Sequence, residues 1–519
     1  MRFTLRTTAF TLAVTGAIAA GAYGIASFIV SEPVPDAAEE FFAAWSDGDL
    51  DKASSLTTDP HAALLALKAF KNHLPTTGVN FTAHGVEGQH VPFTVTARIS
   101  TQDTEGRWSY ESQLDVRDEP QEGERVVWKP SVIHPELAGR DGYTLKAVTT
   151  APRTAVLSRE GTALNDQEQP GLSQVISQLK ERYATQAGTP ALDVRMTPLF
   201  GDGEDTTLAH VVKGKPGTIS TTIDLSLQQA AEAAVAEHSR ASVVAVEPST
   251  GEILAVATSA KGEMNPALEG VEAPGSVFEI VTSAALLEQG AISPTTAVNC
   301  PGQVVVAGTA FTNPRLKGAG AGGTFTDAFA ASCDTAFAEL ADELAPGALA
   351  KEAKGVFGLG LDWQTGVTTS DGAVPELTGA DRAAVAVGRG EVRLNVLNLA
   401  SITATVKSGT FKQPLLVGAD LAGADQAQAE RPLSGKVAQQ LRAMMNHNAS
   451  QGTGAEVMTG SNGTFGSMAG LADQGTDQAT HGWFTAFNGD VAVASVAPSG
   501  GAGVTSAGAI TRAVLDADR

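Results

Sequence analysis

The chain has 519 residues and a formal net charge of −22, from 35 basic and 57 acidic side chains. Its length predicts several domains, and its 43% hydrophobic content can fill their cores, which excludes a globally disordered chain. The acidic balance argues against nucleic acid as a partner, because phosphate binding requires a basic face.

An uncharged run of residues 7–31 follows Arg2 and Arg6 at the start of the chain. The run exceeds the roughly 20 residues that a helix needs to cross a bilayer. The positive charges before it place the N-terminus in the cytoplasm. We therefore expect residues 1–31 to form a cytoplasmic N-terminus and a single transmembrane anchor, with the bulk of the chain extracytoplasmic. The alternative is a cleaved signal peptide, with the small residues 19–22 as the cleavage region.

Residues 36–145 predict an α+β domain. Apolar residues at helical spacing open it: Ala38, Phe41, Phe42 and Trp45. Alternating runs typical of antiparallel strands follow: 93–99, 108–116 and 126–132. We interpret the aromatic residues as core, with a pocket lining as the alternative. Helices followed by a curled sheet resemble the NTF2-like domain that precedes some transpeptidases.

The next stretch, residues 151–161, resembles the opening of the pedestal region in class B penicillin-binding proteins, and we assign residues 150–215 to such a dimerisation-type region. Apolar runs at 241–246 and 252–257 flank a Pro- and Gly-containing turn, which indicates a hairpin. They resemble the start of that family's transpeptidase domain. Residues 219–519 are therefore expected to form a transpeptidase-like domain, an antiparallel sheet flanked by helices, and the whole chain a multidomain α+β protein.

Ser276 follows a Pro-Gly turn and precedes an apolar helix that Gly290 ends. By itself the pattern fits a helix N-cap, and the position also suits a nucleophile, because helix N-termini favour negative charge. The stretch resembles the family's first motif, Ser-x-x-Lys. Glu279 stands where the resemblance places the lysine base.

The family's second motif, Ser-x-Asn, aligns with Ser332-Cys333-Asp334, so Asp334 replaces the asparagine. The third, Lys-Thr-Gly, aligns with residues 464–467, which would bind the substrate. The residues of this degenerate motif are Thr464, Phe465, Gly466 and Ser467. A glycine-rich loop is the alternative for this stretch. Val387-Gly388-Arg389-Gly390 resembles a further family stretch and is interpreted as structural.

These alignments predict a site with two acids, Glu279 and Asp334, and no lysine. A ligand carboxylate would be repelled, since two like charges about 6 Å apart cost roughly 3 kcal/mol at an effective dielectric near 20. Lys261 and Lys317 are candidates for a lysine brought in from elsewhere in the chain.

The chain has two cysteines, Cys300 and Cys333, which outside the membrane form either a disulfide or a pair of buried thiols. As a disulfide their Cα atoms would lie within about 7 Å. No cofactor and no metal site is expected.

The resemblance implies a membrane-anchored penicillin-binding protein homologue that acts in peptidoglycan assembly. The missing lysines favour a catalytically inactive scaffold, bound to other cell-wall synthesis or division proteins and to peptidoglycan itself. One alternative is an active D,D-transpeptidase that is acylated at Ser276 and uses Glu279 as base. The other is a sensor that binds cell-wall fragments without turnover.

Overall fold

The computed structural model describes residues 33–86, 89–313, 320–423, 425–473, 480–498 and 503–518. They form two compact units. The first holds the described residues up to Thr149 together with Leu192–Val212, and the second holds Thr150–Ala191 and the described residues from Lys213 onwards. The segment 150–215, expected as one pedestal region, is divided between the units, because residues 192–212 add strands to a sheet that begins at Tyr143.

The expected membrane anchor, residues 7–31, lies outside the described residues. Among the helices that are described, none is both long and apolar enough to cross a bilayer.

The helices of the described residues are α1 (Asp36–Ser46), α2 (Leu50–Ser55), α3 (Pro60–His73), α4 (Ser173–Arg182), α5 (Ala184–Ala187), α6 (Leu225–Ala236), α7 (Pro266–Glu269), α8 (Glu279–Glu288), α9 (Phe325–Ala330), α10 (Asp334–Leu340), α11 (Ala348–Gly355), α12 (Gly379–Ala386), α13 (Val396–Ser408), α14 (Ala419–Ala422), α15 (Gly435–Gln451), α16 (Ala455–Met458) and α17 (Gly503–Ala517). The strands are β1 (Thr76–Ala83), β2 (His90–Ser100), β3 (Glu105–Glu119), β4 (Gly123–Val127), β5 (Tyr143–Thr150), β6 (Thr154–Leu157), β7 (Ala163–Leu164), β8 (Ala191–Pro198), β9 (Thr206–Val212), β10 (Gly217–Ser220), β11 (Ser242–Val246), β12 (Ile253–Thr258), β13 (Ala297–Cys300), β14 (Gln303–Val306), β15 (Thr309–Thr312), β16 (Gly320–Thr324), β17 (Phe465–Asp473), β18 (Thr480–Asn488) and β19 (Val491–Pro498).

The first unit packs α1–α3 against an antiparallel sheet of order β1-β2-β3-β4, and a second sheet has the order β5-β8-β9. Asp49 and Asp59 cap α2 and α3, because their side chains accept backbone amides of the first turn. β2 alternates between buried and partly exposed residues, so it presents one face to the helices. The aromatic residues expected in the core are buried there, and the rings of Phe42 and Phe93 lie 4.7 Å apart.

The second unit is built on an antiparallel sheet of order β12-β11-β19-β18-β17. The hairpin expected from the runs 241–246 and 252–257 is confirmed, since β11 pairs with β12, and β18 and β19 form a second hairpin. Gly489 turns the second hairpin with a φ of 60°, a left-handed conformation that glycine adopts without strain. In this order β17 is an edge strand.

Helices cover both faces of that sheet. Apolar residues of α6 and α17 pack on one face, and those of α8 and α13 belong to the core on the other. Asp224 caps α6, since its carboxylate accepts the amides of Ser226 and Leu227. Residues Glu279–Leu287 of α8 are all buried, so polar groups at the start of this helix depend on partners inside the protein.

Candidate active site

Ser276 lies in a short 3₁₀ turn, Gly275–Phe278, that leads directly into α8. Glycines hold this turn in place. The Gly275 amide donates to the Gly388 carbonyl at 2.8 Å, and a Cβ atom at Gly388 would lie 1.9 Å from the Gly275 oxygen. The φ of Gly275 is 64°, which also favours glycine. The main chain around Ser276 is therefore fixed by close backbone packing.

The Ser276 hydroxyl donates a hydrogen bond of 2.7 Å to Oδ1 of Asp334, the first residue of α10. The other carboxylate oxygen, Oδ2, forms an ion pair with Nη2 of Arg389. Ser276 is only 2% exposed and Asp334 is fully buried, whereas the Arg389 side chain is 31% exposed. The nucleophile position is thus tied to a buried ion pair.

Glu279 begins α8 and is fully buried. Burial, followed by the nearby charge of Asp334, raises the pKa of Glu279 well above its usual range, and Arg389 opposes this shift to a smaller extent. The direction of this shift favours the protonated, neutral form of Glu279. Neither of its oxygens accepts a hydrogen bond from the described residues. Its proton can serve as the donor to Asp334, because two ionised carboxylates have no donor between them.

The site was expected to hold two acids and no cation. Arg389, in the stretch interpreted above as structural, supplies a cation and corrects that expectation. When Glu279 holds its proton, the charges of Asp334 and Arg389 sum to zero, and the repulsion expected between two ionised acids is absent. Of the two lysine candidates, Lys317 lies outside the described residues. Lys261 is exposed, and no hydrogen bond or ion pair within the described chain joins it to this cluster.

Ser332 of the second motif bonds to β17 and Thr453, and within the described chain no hydrogen bond joins it to Ser276. Its backbone has a φ of 52°, and its hydroxyl donates to the Ala469 carbonyl at 3.0 Å and lies 3.2 Å from that of Thr453. The adjacent Cys333 forms a disulfide with Cys300, and their Cα atoms are 6.1 Å apart. This disulfide ties the loop before α10, and so Asp334, to the end of β13.

The placement of the third motif at residues 464–467 was wrong. Phe465 pairs with Asn488 at the far end of β17, and Ser467 donates to Asn448 of α15. It is Gly470 that lies beside the serine turn, since a Cβ atom there would be 3.1 Å from the Ser276 amide.

The strand beside the nucleophile is thus Met468-Ala469-Gly470-Leu471, with a fully buried Met468 two residues before the glycine. This stretch has the glycine that the family motif requires, but neither its lysine nor its threonine. In the described chain no group of three His, Cys, Asp or Glu side chains is placed to hold a metal ion.

Comparisons with known proteins agree with this architecture. The family described as the penicillin-binding protein transpeptidase domain matches residues 241–516, and the NTF2-like N-terminal transpeptidase domain matches residues 34–141. The chain is 30% identical over 352 residues to the peptidoglycan D,D-transpeptidase PbpA of Mycolicibacterium smegmatis, covering 56% of this chain and 69% of that protein.

Solved structures give the same result. The crystal structure of PBPA from Mycobacterium tuberculosis matches with a TM-score of 0.51 and 27% identity, over 58% of this chain and 81% of that one. Pseudomonas aeruginosa PBP2 shares the fold, with a TM-score of 0.56 and 20% identity over 71% of this chain and 96% of that one. Since the transpeptidase match alone spans more than half of its residues, this chain belongs to the class B penicillin-binding protein family, with an NTF2-like domain before its transpeptidase domain.

Proposed function

We propose that this protein acts in peptidoglycan assembly as a catalytically inactive penicillin-binding protein, a scaffold for other cell-wall synthesis or division proteins. The uncharged run of residues 7–31 supports a membrane anchor with the two domains outside the cytoplasm. The observation that carries the proposal is the state of Glu279. At the position of the catalytic lysine stands a fully buried acid, and its burial raises its pKa well above the usual range.

Loss of acylation follows from two features of the site. A protonated carboxyl group cannot accept the Ser276 proton, and removal of a catalytic base lowers rates by several powers of ten. Met468 and Ala469 replace the lysine and threonine that would bind a ligand carboxylate in the third motif. Arg389 supplies a cation, but Asp334 already pairs with it.

One observation favours the alternative of an active enzyme. The hydrogen bond from Ser276 to Asp334 has the geometry of a nucleophile and its base, with Asp334 in the role that the sequence had given to Glu279. In that case Asp334 would take the serine proton on acylation, and Arg389 would keep the carboxylate oriented.

Covalent labelling distinguishes these two functions. The purified full chain is incubated for several hours with benzylpenicillin and its intact mass is measured, with Ser276→Ala as the control. We expect no adduct on the native chain. We also expect none on Glu279→Lys, because Met468 still leaves the carboxylate site without its lysine. A stoichiometric mass gain on the native chain that is absent from Ser276→Ala would refute the inactive scaffold and support the enzyme.

A further inference from the structure

A cavity of about 740 Å³ lies at the C-terminal end of α8, the opposite end of that helix from Ser276. Its walls come from the last turn of α8, the start of α11 and residues 431–434. The apolar part of the wall is formed by Ala285, Ala345, Pro346, Ala348, Pro432 and Leu433. The volume and the mixed lining are those of sites that bind small ligands.

Arg431 organises the polar part of the wall. Its Nη2 lies 2.6 Å from Oε2 of Glu352, and its Nη1 lies 3.6 Å from Oε1 of Glu288. The Glu288 carboxylate also accepts the Ser434 amide at 2.7 Å. Glu352 is only 5% exposed, and its second oxygen has no hydrogen-bond partner among the described residues. Among the described residues, therefore, only one of the two oxygens of this buried carboxyl group has a hydrogen-bond partner.

The polar groups left over at this cavity are mostly donors. Lys351 is exposed and has no ion pair within the described chain. Gln289 accepts the Ala345 amide with its side-chain oxygen, so both N–H groups of its amide are left to donate. The Ser434 oxygen accepts the Val437 amide, which leaves its hydroxyl proton to donate.

The charge of the cavity wall, like its excess of hydrogen-bond donors, favours an anionic ligand. Burial raises the pKa of Glu352 to about 7, while Arg431 and Lys351 lower it and Glu288 raises it to smaller extents. When Glu352 holds its proton, two cations face the single charge of Glu288, so the wall has a net positive charge.

We propose that this cavity binds a short peptide through its free C-terminal carboxylate, held by Lys351 and Gln289, with its small apolar side chains against Pro346 and Leu433. The donors, the net charge and the apolar wall all match that chemistry. Binding here does not involve Ser276, so the inference stands whether or not the serine is acylated.

Titration calorimetry on the full chain at pH 6.5 tests the proposal. The probe is acetyl-D-Ala-D-Ala, and its C-terminal amide is the control ligand. Lys351→Ala removes the free cation, and Lys354→Ala is the matched control, an exposed lysine on α11 that does not line the cavity. We expect the acid to bind, and both the amide ligand and Lys351→Ala to weaken binding about tenfold, since a charge-assisted hydrogen bond is lost. Lys354→Ala and Ser276→Ala should match the native chain.

Glu352→Gln adds an independent readout. The native chain should bind the acid more weakly at pH 8 than at pH 6.5, because Glu352 then ionises, and the Gln variant should lose this dependence. Acetyl-L-Ala-L-Ala, run in parallel, identifies the source, with a cell-wall peptide favouring the D,D form and a protein C-terminus the L,L form. The proposal is overturned if neither acid binds, if acid and amide bind equally, or if Lys351→Ala leaves the affinity unchanged.

Discussion

Two arginines of the transpeptidase domain each bind a buried acid that has a second acid beside it, and the two clusters differ in what surrounds them. Beside Arg389 the acids are enclosed: Ser276 donates to Asp334, and Ser276, Asp334 and Glu279 are all buried. Asp334 is fully buried, so its charge depends on these partners.

Around Arg431 the space is open. Glu352 and Glu288 share the guanidinium, but a cavity of about 740 Å³ adjoins them and the arginine is 45% exposed. In both clusters burial raises the pKa of a glutamate. An acid pair beside an arginine can therefore be enclosed by neighbouring side chains or can form the wall of an open cavity.

Removing the disulfide should have the largest effect and should act on the closed cluster. The bond spans 33 positions in sequence, and loop entropy predicts a loss of about 4 kcal/mol in the free energy of unfolding for Cys300→Ser with Cys333→Ser. Urea unfolding of the full chain measures it. Thiol counting on the denatured, unreduced native chain should find no free thiol, and two free thiols would contradict the pairing.

Replacing each arginine by glutamine compares the two clusters directly. Arg389→Gln leaves the buried Asp334 charge without its cation and should cost about 3 kcal/mol. Arg431→Gln should cost only about 1 kcal/mol, because the Arg431 side chain is 45% exposed and Glu352 can take up a proton. Equal losses in urea unfolding would show that the two clusters do not differ in this way.

The Glu279→Gln variant tests whether the closed cluster holds a proton. The folded-state pKa of Glu279 is raised, so the native chain loses stability as pH rises above about 4.5, by up to about 1.4 kcal/mol per pH unit. Glutamine stays neutral and can still donate to Asp334, so the variant should gain on the native chain from pH 5 to pH 7. A difference independent of pH would show that Glu279 is already ionised.

Glu352→Gln should also gain stability relative to the native chain as the pH rises, but by less than Glu279→Gln. The folded pKa of about 7 lies above the unfolded value, so stability is lost between about pH 4.5 and pH 7 and then levels off. At about 1.4 kcal/mol per pH unit, a shift from 4.5 to about 7 limits the total loss to about 3 kcal/mol. Unfolding midpoints from pH 5 to pH 8 measure it, and a loss that continues well above pH 7 would contradict the assignment to Glu352.

The sequence predicted the fold well where local patterns agree with the family. Apolar runs on either side of the turn at residues 247–251 located one hairpin of the central sheet, and a Pro-Gly turn before an apolar helix located Ser276. Both signals are short in sequence, so they survive the exchange of individual catalytic residues.

The site itself was only partly predictable, because its residues converge from distant segments. Spacing alone placed the third motif at 464–467, whereas the strand passes Ser276 at Gly470. The motif's lysine, which would have shown the correct alignment, is absent from this strand. Arg389 was missed because its partner Asp334 is 55 positions away in sequence. The arginine inside the family-like stretch 387–390 is the signal that could have identified it, because two motifs had gained acids and a buried acid requires a cation.

The packing of Gly275 against Gly388 separates the shape of this site from its chemistry. The contact uses main-chain atoms only, so exchange of the side chains at Glu279, Asp334 or Met468 leaves it in place. A designer who wished to restore turnover would therefore start from an intact template and alter side chains alone, with no backbone to rebuild. Conversely, a side chain introduced at Gly388 would displace the serine turn whatever residues surround it.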